Sequence, residues 1–231
     1  MTRDGPDTGA RRAKTVPRWG DRRRARIGLL GGSFNPAHAG HRYIAELALR
    51  RLRLDQIWLL VSPGNPLKEQ AGMAPLDQRM ASARAIARGD PRLLVTDIES
   101  LLGTRYTVDT LRALRRAFPR ARFVWLMGAD NLIQIPRWRR WKQIFHTIPV
   151  AVFARAPYSN RALAGLAARR FWRSRVDARH ARRLTAKPLP AWVFLHTSLS
   201  PESATAIRLA GGRSGMRKLG GTGSGARGLK A

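Results

Sequence analysis

The chain has 231 residues, of which 44% are hydrophobic, and this is enough apolar material for one domain with a buried core. It contains no cysteine, which excludes disulfides, thiolate nucleophiles and cysteine-ligated zinc. No apolar run in the sequence is long enough to cross a bilayer. Because the lack of cysteine also fits a reducing compartment, we expect a cytoplasmic protein.

The formal net charge is +30, from 44 basic and 14 acidic residues that are spread along the whole chain. A charge of this size attracts polyanions, so nucleotides, nucleic acids and acidic lipids all have to be considered. The sequence has no recognisable nucleic-acid-binding motif, and arginine is readily accepted at exposed helical positions. We expect no specific nucleic-acid partner and no membrane partner, and a basic nucleic-acid-binding protein stays an alternative hypothesis.

The two ends of the chain differ in composition from the middle. Residues 1–26 lack apolar periodicity and are rich in Arg, Gly, Asp and Thr, which predicts a disordered basic arm. Residues 211–231 are rich in Gly, Ser and Arg, which predicts a flexible tail. The domain itself is therefore expected to span residues 27–210.

Strands and helices alternate through this domain. Continuous apolar runs predict strands at residues 27–30, 56–61, 93–96, 121–127, 149–153 and 192–195. Helical spacing of apolar side chains predicts helices at residues 42–49, 76–88 and 107–118, a helical stretch from about 130 to about 145, and a basic helix at 160–184. This pattern indicates an α/β fold, a Rossmann-like doubly wound parallel sheet that is covered on both faces.

Three polar segments follow predicted strands and are candidates for a ligand site. They are Gly31–His41, Pro63–Lys68 and Gly128–Asp130. In open parallel sheets, ligands bind beyond the carboxyl ends of the strands. We therefore expect the three segments to converge on one edge of the sheet.

The segment Gly31–His41 carries the strongest chemical signal in the chain. Its glycines allow a close approach of backbone to ligand, and it leads into a predicted helix whose N-terminal N–H groups favour anions. His38 and His41 stand at the start of that helix, so the segment predicts a phosphate site with two imidazole donors. It is neither a Walker A loop nor a dinucleotide fingerprint. A metal site at the two histidines would need a third ligand, and the nearby sequence offers none.

Two segments of the chain resemble the signatures of the nucleotidyltransferase superfamily. The first is Ser33-Phe34-Asn35-Pro36 followed by His38-Ala39-Gly40-His41. The second is Glu202-Ser203-Ala204-Thr205-Ala206-Ile207-Arg208, which differs from the superfamily pattern at Glu202 and Ala204. The resemblance implies a single nucleotidyltransferase domain.

Within that superfamily the chain is most similar to the nicotinate-nucleotide adenylyltransferase family. The matching segments are Arg105–Leu111, Gly128–Leu132 with Trp138–Trp141, Asn65–Lys68 and Ala154–Pro157. The chain has Arg105 where the family has Ser, and Leu67 where it usually has His. The resemblance implies adenylyl transfer from ATP to nicotinate mononucleotide, which yields nicotinate adenine dinucleotide and pyrophosphate in NAD biosynthesis. Mg²⁺ would arrive with ATP, and no protein-held metal site is expected.

The resemblance also implies a role for each matching residue. The catalytic residues would be His41, His38 and Arg208. The ATP-binding residues would be Gly32, Ser33, Phe34, His38, His41, Ser203, Thr205 and Arg208. The acceptor-binding residues would be Lys68, Tyr106, Thr107, Gly128, Asp130 and Trp138.

Some aromatic and histidine residues have a plainer interpretation. Trp125 lies inside a predicted strand, so we expect it to be a core residue. His146, His180 and His196 have no partner pattern and are expected to be structural or exposed.

A second enzymatic hypothesis keeps the fold and changes the acceptor. An adenylyl- or cytidylyltransferase of this fold could act on phosphopantetheine, or on a sugar or alcohol phosphate. The Tyr106-Thr107 and Trp138 segments favour the pyridine nucleotide instead. The sequence predicts neither the preference for the acid or the amide of the acceptor nor the oligomeric state.

Overall fold

The computed structural model of the protein describes residues 16, 20–64, 72–155 and 157–197. The strands in this part of the chain are β1 (Arg26–Gly32), β2 (Gln56–Val61), β3 (Leu93–Thr96), β4 (Arg122–Gly128), β5 (Val150–Phe153), β6 (Arg175–Val176) and β7 (Trp192–Leu195). They form one sheet in the order β3-β2-β1-β4-β5-β7-β6, and every pairing between neighbours is parallel.

Helices connect the strands and lie on both faces of the sheet. The α-helices are α1 (Ala39–Arg51), α2 (Leu76–Ala87), α3 (Ile98–Leu101), α4 (Thr107–Ala117), α5 (Ala129–Gln134), α6 (Trp141–Thr147), α7 (Ser159–Ala164) and α8 (Leu166–Arg170). Short 3₁₀ segments occur at Ile135–Arg137, Trp172–Ser174 and Ala178–Ala186. The predicted Rossmann-like parallel α/β fold is confirmed. Among the described residues, no helix combines the length and apolar character that a membrane crossing requires.

The sheet has a separate apolar layer on each face. On one face, Trp58 of β2 packs in a cluster that includes Leu111 of α4. On the other face, Leu59 of the same strand packs in a cluster that includes Ala48 of α1. Because both faces are covered, successive residues of a strand are all apolar, which explains the continuous runs in the sequence.

The order of the strands fixes where a ligand can bind. The chain winds from β1 outward through β2 to β3, and then returns to place β4 on the other side of β1. The direction in which strands are added to the sheet therefore reverses between β1 and β4. These two strands pair from Arg26↔Arg122 to Leu30↔Leu126. A crevice opens at such a switch point, beyond the carboxyl ends of the two strands. Those ends are Gly32 and Gly128, so the fold brings together two of the predicted ligand segments.

The predicted basic helix at residues 160–184 is wrong. Gly165 has an extended backbone (φ −74°, ψ 164°) and separates α7 from α8. Asp177 is also extended, and its side chain accepts a hydrogen bond from the Arg179 N–H, which starts a 3₁₀ segment. Between these two breaks, β6 joins the edge of the sheet beside β7. Local caps therefore override the helical spacing, and the predicted sixth strand is the seventh along the chain.

The described end of the predicted arm lies against the core. The Arg23 guanidinium stands 5.7 Å from the ring centre of Trp58 and 5.6 Å from that of Phe118. Residues 1–15, 17–19 and 211–231 lie outside the described residues, so the predictions of a disordered arm and a flexible tail stay predictions.

Candidate active site

The first turn of α1 is capped by two histidines in a reciprocal arrangement. His38 is the N-cap, and its Nδ1 accepts a hydrogen bond from the Gly40 N–H at 3.2 Å. The Nδ1 of His41 accepts from the His38 N–H, also at 3.2 Å. This is the geometry of a capping box, in which small polar residues and glutamate usually supply the acceptors. The two rings lie with their centres 3.9 Å apart.

The capping bonds decide which nitrogen of each imidazole carries the proton. A neutral imidazole has one acceptor nitrogen and one N–H donor. Because Nδ1 accepts in both residues, the neutral form of His38 and of His41 holds its proton on Nε2. The start of α1 therefore combines two imidazole N–H donors with the positive end of a helix dipole, a combination that suits a phosphate.

Phe34 supports His41 from the loop before the helix. Its backbone has φ 47°, a left-handed conformation that is uncommon for a large side chain. Its side chain is only 1% exposed, and its ring centre lies 4.8 Å from that of His41. The buried ring thus limits the orientations that the imidazole can adopt.

Side chains beneath the loop fix its backbone. Asn35 donates from Nδ2 to the Gly72 carbonyl at 3.0 Å and accepts at Oδ1 from the Ala74 N–H at 3.1 Å. The Ala37 N–H donates to the Ser82 hydroxyl at 3.1 Å. These bonds attach the loop after β1 to the segment that leads into α2, so the loop is held in place before any ligand binds.

The end of β4 supplies a carboxylate. A Cβ atom on Gly128 would overlap the Oδ1 atom of Asp130, so a larger residue here would displace the carboxylate from its present orientation. Oδ2 of Asp130 lies 3.6 Å from an Arg155 nitrogen, whereas Oδ1 is buried and has no hydrogen-bond partner among the described residues. A buried carboxylate oxygen without a donor is uncommon in folded proteins.

The predicted acceptor segment begins α4. Tyr106 is the N-cap of this helix and Thr107 is its first residue. The Arg139 guanidinium carbon lies 4.7 Å from the ring centre of Tyr106, which places a positive charge at the segment. The sequence analysis did not predict a role for Arg139, because the only indication in the sequence was its position next to Trp138.

Trp138 stands beside the core tryptophan of β4. Its ring meets that of Trp125 edge-on, with centres 6.4 Å apart and planes at 82°. Trp125 is 4% exposed, which confirms the prediction of a core residue. A Cβ atom on Gly31 would overlap the Trp125 ring, so the glycine leaves space for the indole across the switch point.

The described site residues all lie at or after the carboxyl ends of strands, at one edge of the sheet. Gly32 ends β1, and Ser33, Phe34, His38 and His41 follow it; Tyr106 and Thr107 follow β3; Gly128 ends β4, and Asp130 and Trp138 follow it. Lys68, Ser203, Thr205 and Arg208 lie outside the described residues, and their roles stay predictions. His146, His180 and His196 are exposed, as expected.

Comparison with known proteins identifies the family. The model of the cytidylyltransferase-like family matches residues 29–210. A protein of Parvibaculum lavamentivorans named probable nicotinate-nucleotide adenylyltransferase is 54% identical over 187 residues, which cover 81% of this chain and 92% of the relative. One of the same name from Gluconacetobacter diazotrophicus is 54% identical over 194 residues, 84% of this chain and 90% of the relative.

The chain belongs to the nicotinate-nucleotide adenylyltransferase family, within the cytidylyltransferase-like proteins. This confirms the resemblance to the superfamily and to this family that the sequence indicates.

Solved structures agree with the fold. The chain is similar to the Plasmodium falciparum nicotinic acid mononucleotide adenylyltransferase complexed with NaAD, with a TM-score of 0.61 and 16% identity over 80% of this chain and 82% of that one. A second structure of the same protein, complexed with APC, gives a TM-score of 0.58 with 15% identity over 80% and 83% of the two chains. At this identity the likeness supports the nucleotidyltransferase fold alone.

Two buried charged residues near the site were missing from the sequence predictions. Arg79 on α2 is 3% exposed and Glu99 on α3 is 8% exposed. Burial raises the pKa of the Glu99 carboxyl above its ordinary value of 4.5, although hydrogen bonds with Thr110 and Ser62 act in the opposite direction. The helix that carries Glu99 was also not predicted, because its four residues are too few to show a period.

The raised pKa of Glu99 predicts a pH dependence of stability. Below pH 4.5 both the folded and the unfolded chain hold the proton. Between the ordinary pKa and the raised pKa of the folded protein, the unfolded chain binds fewer protons, so the free energy of unfolding falls as pH rises. In Glu99→Gln this contribution is removed, because the amide does not titrate. We expect the stability of the unmodified protein relative to E99Q, measured by urea unfolding, to decline as pH rises from 4.5.

Asp77→Asn is the control for this measurement, because Asp77 is exposed in the first turn of α2. A relative decline of the same size against D77N would assign the effect to carboxylates in general and contradict the assignment to Glu99.

Proposed function

We propose that the protein transfers the adenylyl group of ATP to nicotinate mononucleotide, forming nicotinate adenine dinucleotide and pyrophosphate in NAD biosynthesis. The observation that carries this proposal is the pair of imidazoles that cap α1 at the switch point of the sheet. The names of the relatives supply the identity of the acceptor.

The reaction is a displacement at phosphorus. A phosphate oxygen of nicotinate mononucleotide forms a bond to the α-phosphorus of ATP, and the bond from that phosphorus to the oxygen that bridges it to the β-phosphorus breaks. The bridging oxygen leaves with pyrophosphate, so no covalent enzyme intermediate is required. The protein contributes positioning and charge stabilisation. The nucleotide substrate is MgATP, so the cation arrives with the substrate.

The two imidazoles act on the triphosphate. We assign the Nε2–H of His41 to the α-phosphate, where negative charge builds up in the transition state, and that of His38 to the adjacent phosphate oxygens. Gly32 and Ser33 bring backbone close to the nucleotide. Outside the described residues, we assign Arg208, Ser203 and Thr205 to the β- and γ-phosphates, and Lys68 to a phosphate of the acceptor.

The acceptor binds beside α4 and β4. We assign the face of the pyridine ring to Trp138, since Arg139 covers one face of Tyr106. The N-terminus of α4 at Thr107 and the Arg139 guanidinium both favour a carboxylate over an amide at this place. This arrangement supports nicotinate as the preferred acceptor.

A ribose hydroxyl completes the hydrogen bonding of Asp130. Its side chain is 23% exposed beside Arg155, so part of the carboxylate is accessible to a hydroxyl of the bound nucleotide. The Gly128 position leaves room for the carboxylate in this orientation.

A turnover assay of the purified full chain tests the proposal. MgATP is supplied with nicotinate mononucleotide, nicotinamide mononucleotide or phosphopantetheine, and both pyrophosphate and the adenylylated product are measured. We expect turnover with nicotinate mononucleotide and a lower kcat/KM with its amide. Turnover with phosphopantetheine alone would contradict the assignment of the acceptor.

Replacing His41 separates its catalytic role from its capping role. Glutamine at this position of a capping box reaches back to the N-cap N–H, so His41→Gln keeps the helix cap and removes the imidazole. We expect kcat of H41Q to fall by about two to three orders of magnitude, with a melting temperature close to that of the unmodified protein. His41→Ala should show the same loss of kcat and lower stability, because it also loses the cap.

If H41Q kept full turnover per folded molecule, His41 would be a capping residue only. The melting temperature of each variant, measured in the same buffer, provides the necessary reference.

Trp138→Ala is expected to raise the acceptor KM by about tenfold or more, because stacking on an aromatic side chain contributes roughly 1–3 kcal/mol per ring. The KM for ATP should change little. Trp172→Ala is the matched control, since Trp172 is 66% exposed and lies away from the switch point. Equal acceptor KM values for W138A and W172A would remove Trp138 from the binding site.

A further inference from the structure

Arg79 ties together three segments at the carboxyl edge of the sheet. Its guanidinium donates to the carbonyl oxygens of Ser33 (3.0 Å), Ser62 (2.6 Å), Pro63 (3.2 Å) and Ala74 (2.8 Å). Ser33 follows β1, Ser62 and Pro63 follow β2, and Ala74 precedes α2. Nη1 alone reaches both Ser33 and Ser62, so it bridges the loops that leave two adjacent strands.

A cation in this position has to be held by its hydrogen bonds. Burial lowers the pKa of Arg79 from its ordinary value, which reflects the cost of removing the charge from water. The hydrogen bonds that the structure gives it all go to backbone carbonyls. A planar guanidinium presents several donors in a fixed geometry, so it holds these carbonyls at set distances from one another.

A second set of buried bonds begins at the same serine. The hydroxyl of Ser62 donates to the Gly64 carbonyl at 2.9 Å, and Ser62 also forms a side-chain hydrogen bond with the carboxyl group of Glu99. On its other side, Oε1 of Glu99 accepts from the Thr110 hydroxyl at 3.1 Å. The Thr104 hydroxyl, 2.9 Å from that of Thr110, completes the series.

These bonds connect side chains from four separate positions of the chain. The Thr110 hydroxyl donates to Glu99 and lies within hydrogen-bond distance of the Thr104 hydroxyl, and the Ser62 hydroxyl donates to the Gly64 carbonyl. Each of these groups therefore has a hydrogen-bond partner, and removing one partner leaves another polar group unsatisfied, which costs free energy.

Together, the bonds of Arg79 and the series from Ser62 to Thr110 extend between the two candidate substrate segments. On the nucleotide side, Ser33 immediately precedes Phe34, whose ring contacts His41. On the acceptor side, Thr110 lies one turn after Tyr106, whose carbonyl accepts from the Thr110 N–H at 3.1 Å.

We propose that Arg79, Ser62, Glu99 and Thr110 form one positioning network that sets the placement of the acceptor segment relative to the nucleotide loop. None of these residues needs to touch a substrate. The identity of the substrates rests on the proposed function. The network itself determines only the distance between the two segments. Directional hydrogen bonds fix that distance more tightly than apolar contacts do.

Thr110→Val tests the acceptor end of the network. It removes one buried hydroxyl and keeps the shape of the side chain. We expect the acceptor KM to rise roughly 3- to 10-fold, the effect of one buried hydrogen bond, with the KM for ATP changed less than twofold. Thr147→Val is the matched control, because Thr147 is also buried and hydrogen-bonded through its hydroxyl but precedes β5 at the opposite edge of the sheet. T147V should leave both KM values unchanged.

Substitutions of Glu99 test whether its donors and acceptors, rather than its charge, matter. Glu99→Gln keeps the shape of the side chain and a carbonyl oxygen that can accept from Thr110, so E99Q should keep the acceptor KM within about threefold. Glu99→Ala should raise it at least as much as T110V. A high acceptor KM in E99Q together with a normal one in E99A would overturn the network.

A double-mutant cycle tests the connection between the two ends. Arg79→Lys keeps the charge and loses the fork that bridges Ser33 and Ser62. Arg79 and Thr110 share no hydrogen bond, so independent sites would give a double variant whose change in acceptor KM is the product of the single changes. We expect a departure from that product of about threefold or more. Multiplication within experimental error would overturn the proposal.

Measuring the binding of the product separates a failure of the network from a failure of the proposed function. The affinity of each variant for nicotinate adenine dinucleotide, measured by calorimetry, follows the same cycle without turnover. If the unmodified protein neither turns over nicotinate mononucleotide nor binds this product, the proposed function fails. If it does both and the cycle shows no coupling, only the network fails. Should T110V not fold, Thr104→Val at a half-buried position replaces it in the cycle, because Thr104 is bonded to Thr110 and no described hydrogen bond joins it to Arg79.

Discussion

The reciprocal capping of α1 by two imidazoles is the interaction on which the site depends. The first N–H groups of any helix need acceptors from outside the helix. Here His38 and His41 supply them through Nδ1, so the bonds that begin the helix also keep the proton on Nε2 of each ring. An aspartate cap would stabilise the helix equally well, but an ionised carboxylate would present no donor. Local folding and phosphate chemistry are thus served by the same two bonds.

The position of this cap is a consequence of the sheet order. Because β4 returns to the side of β1, the loop with the imidazoles and the turn at Gly128 leave the sheet next to each other. Small residues at this junction are needed for packing as well as for ligand approach. Gly31 leaves space for the Trp125 ring, and Gly128 leaves space for the Asp130 carboxylate. The same geometry explains why the site residues come from distant parts of the chain.

The sequence predicted those features whose signal is local. Strands buried on both faces appear as apolar runs, and the loop Gly31–His41 carries its chemistry in eleven consecutive residues. Residues 160–184 were assigned wrongly because the extended backbone at Gly165 and Asp177 outweighs a weak helical period. Arg79 was not predicted at all, since its Ser33 partner lies 46 residues away and no periodic pattern records such a contact.

Polar groups at the carboxyl edge of the sheet hold loops at set distances, which apolar packing does less well because it is not directional. Under the proposed function, two loops that bind different substrates have to meet at a fixed distance, yet each must leave its outer surface open to a ligand. Arg79 fixes the distance from beneath by holding backbone carbonyls, and Glu99 extends the same support towards α4. Since removing one partner leaves another buried group unsatisfied, at about 1–3 kcal/mol, only replacements that keep both shape and donor pattern preserve the arrangement. The interior of the site is therefore more restrictive in sequence than the apolar layers that surround it, where side chains of similar volume exchange at low cost.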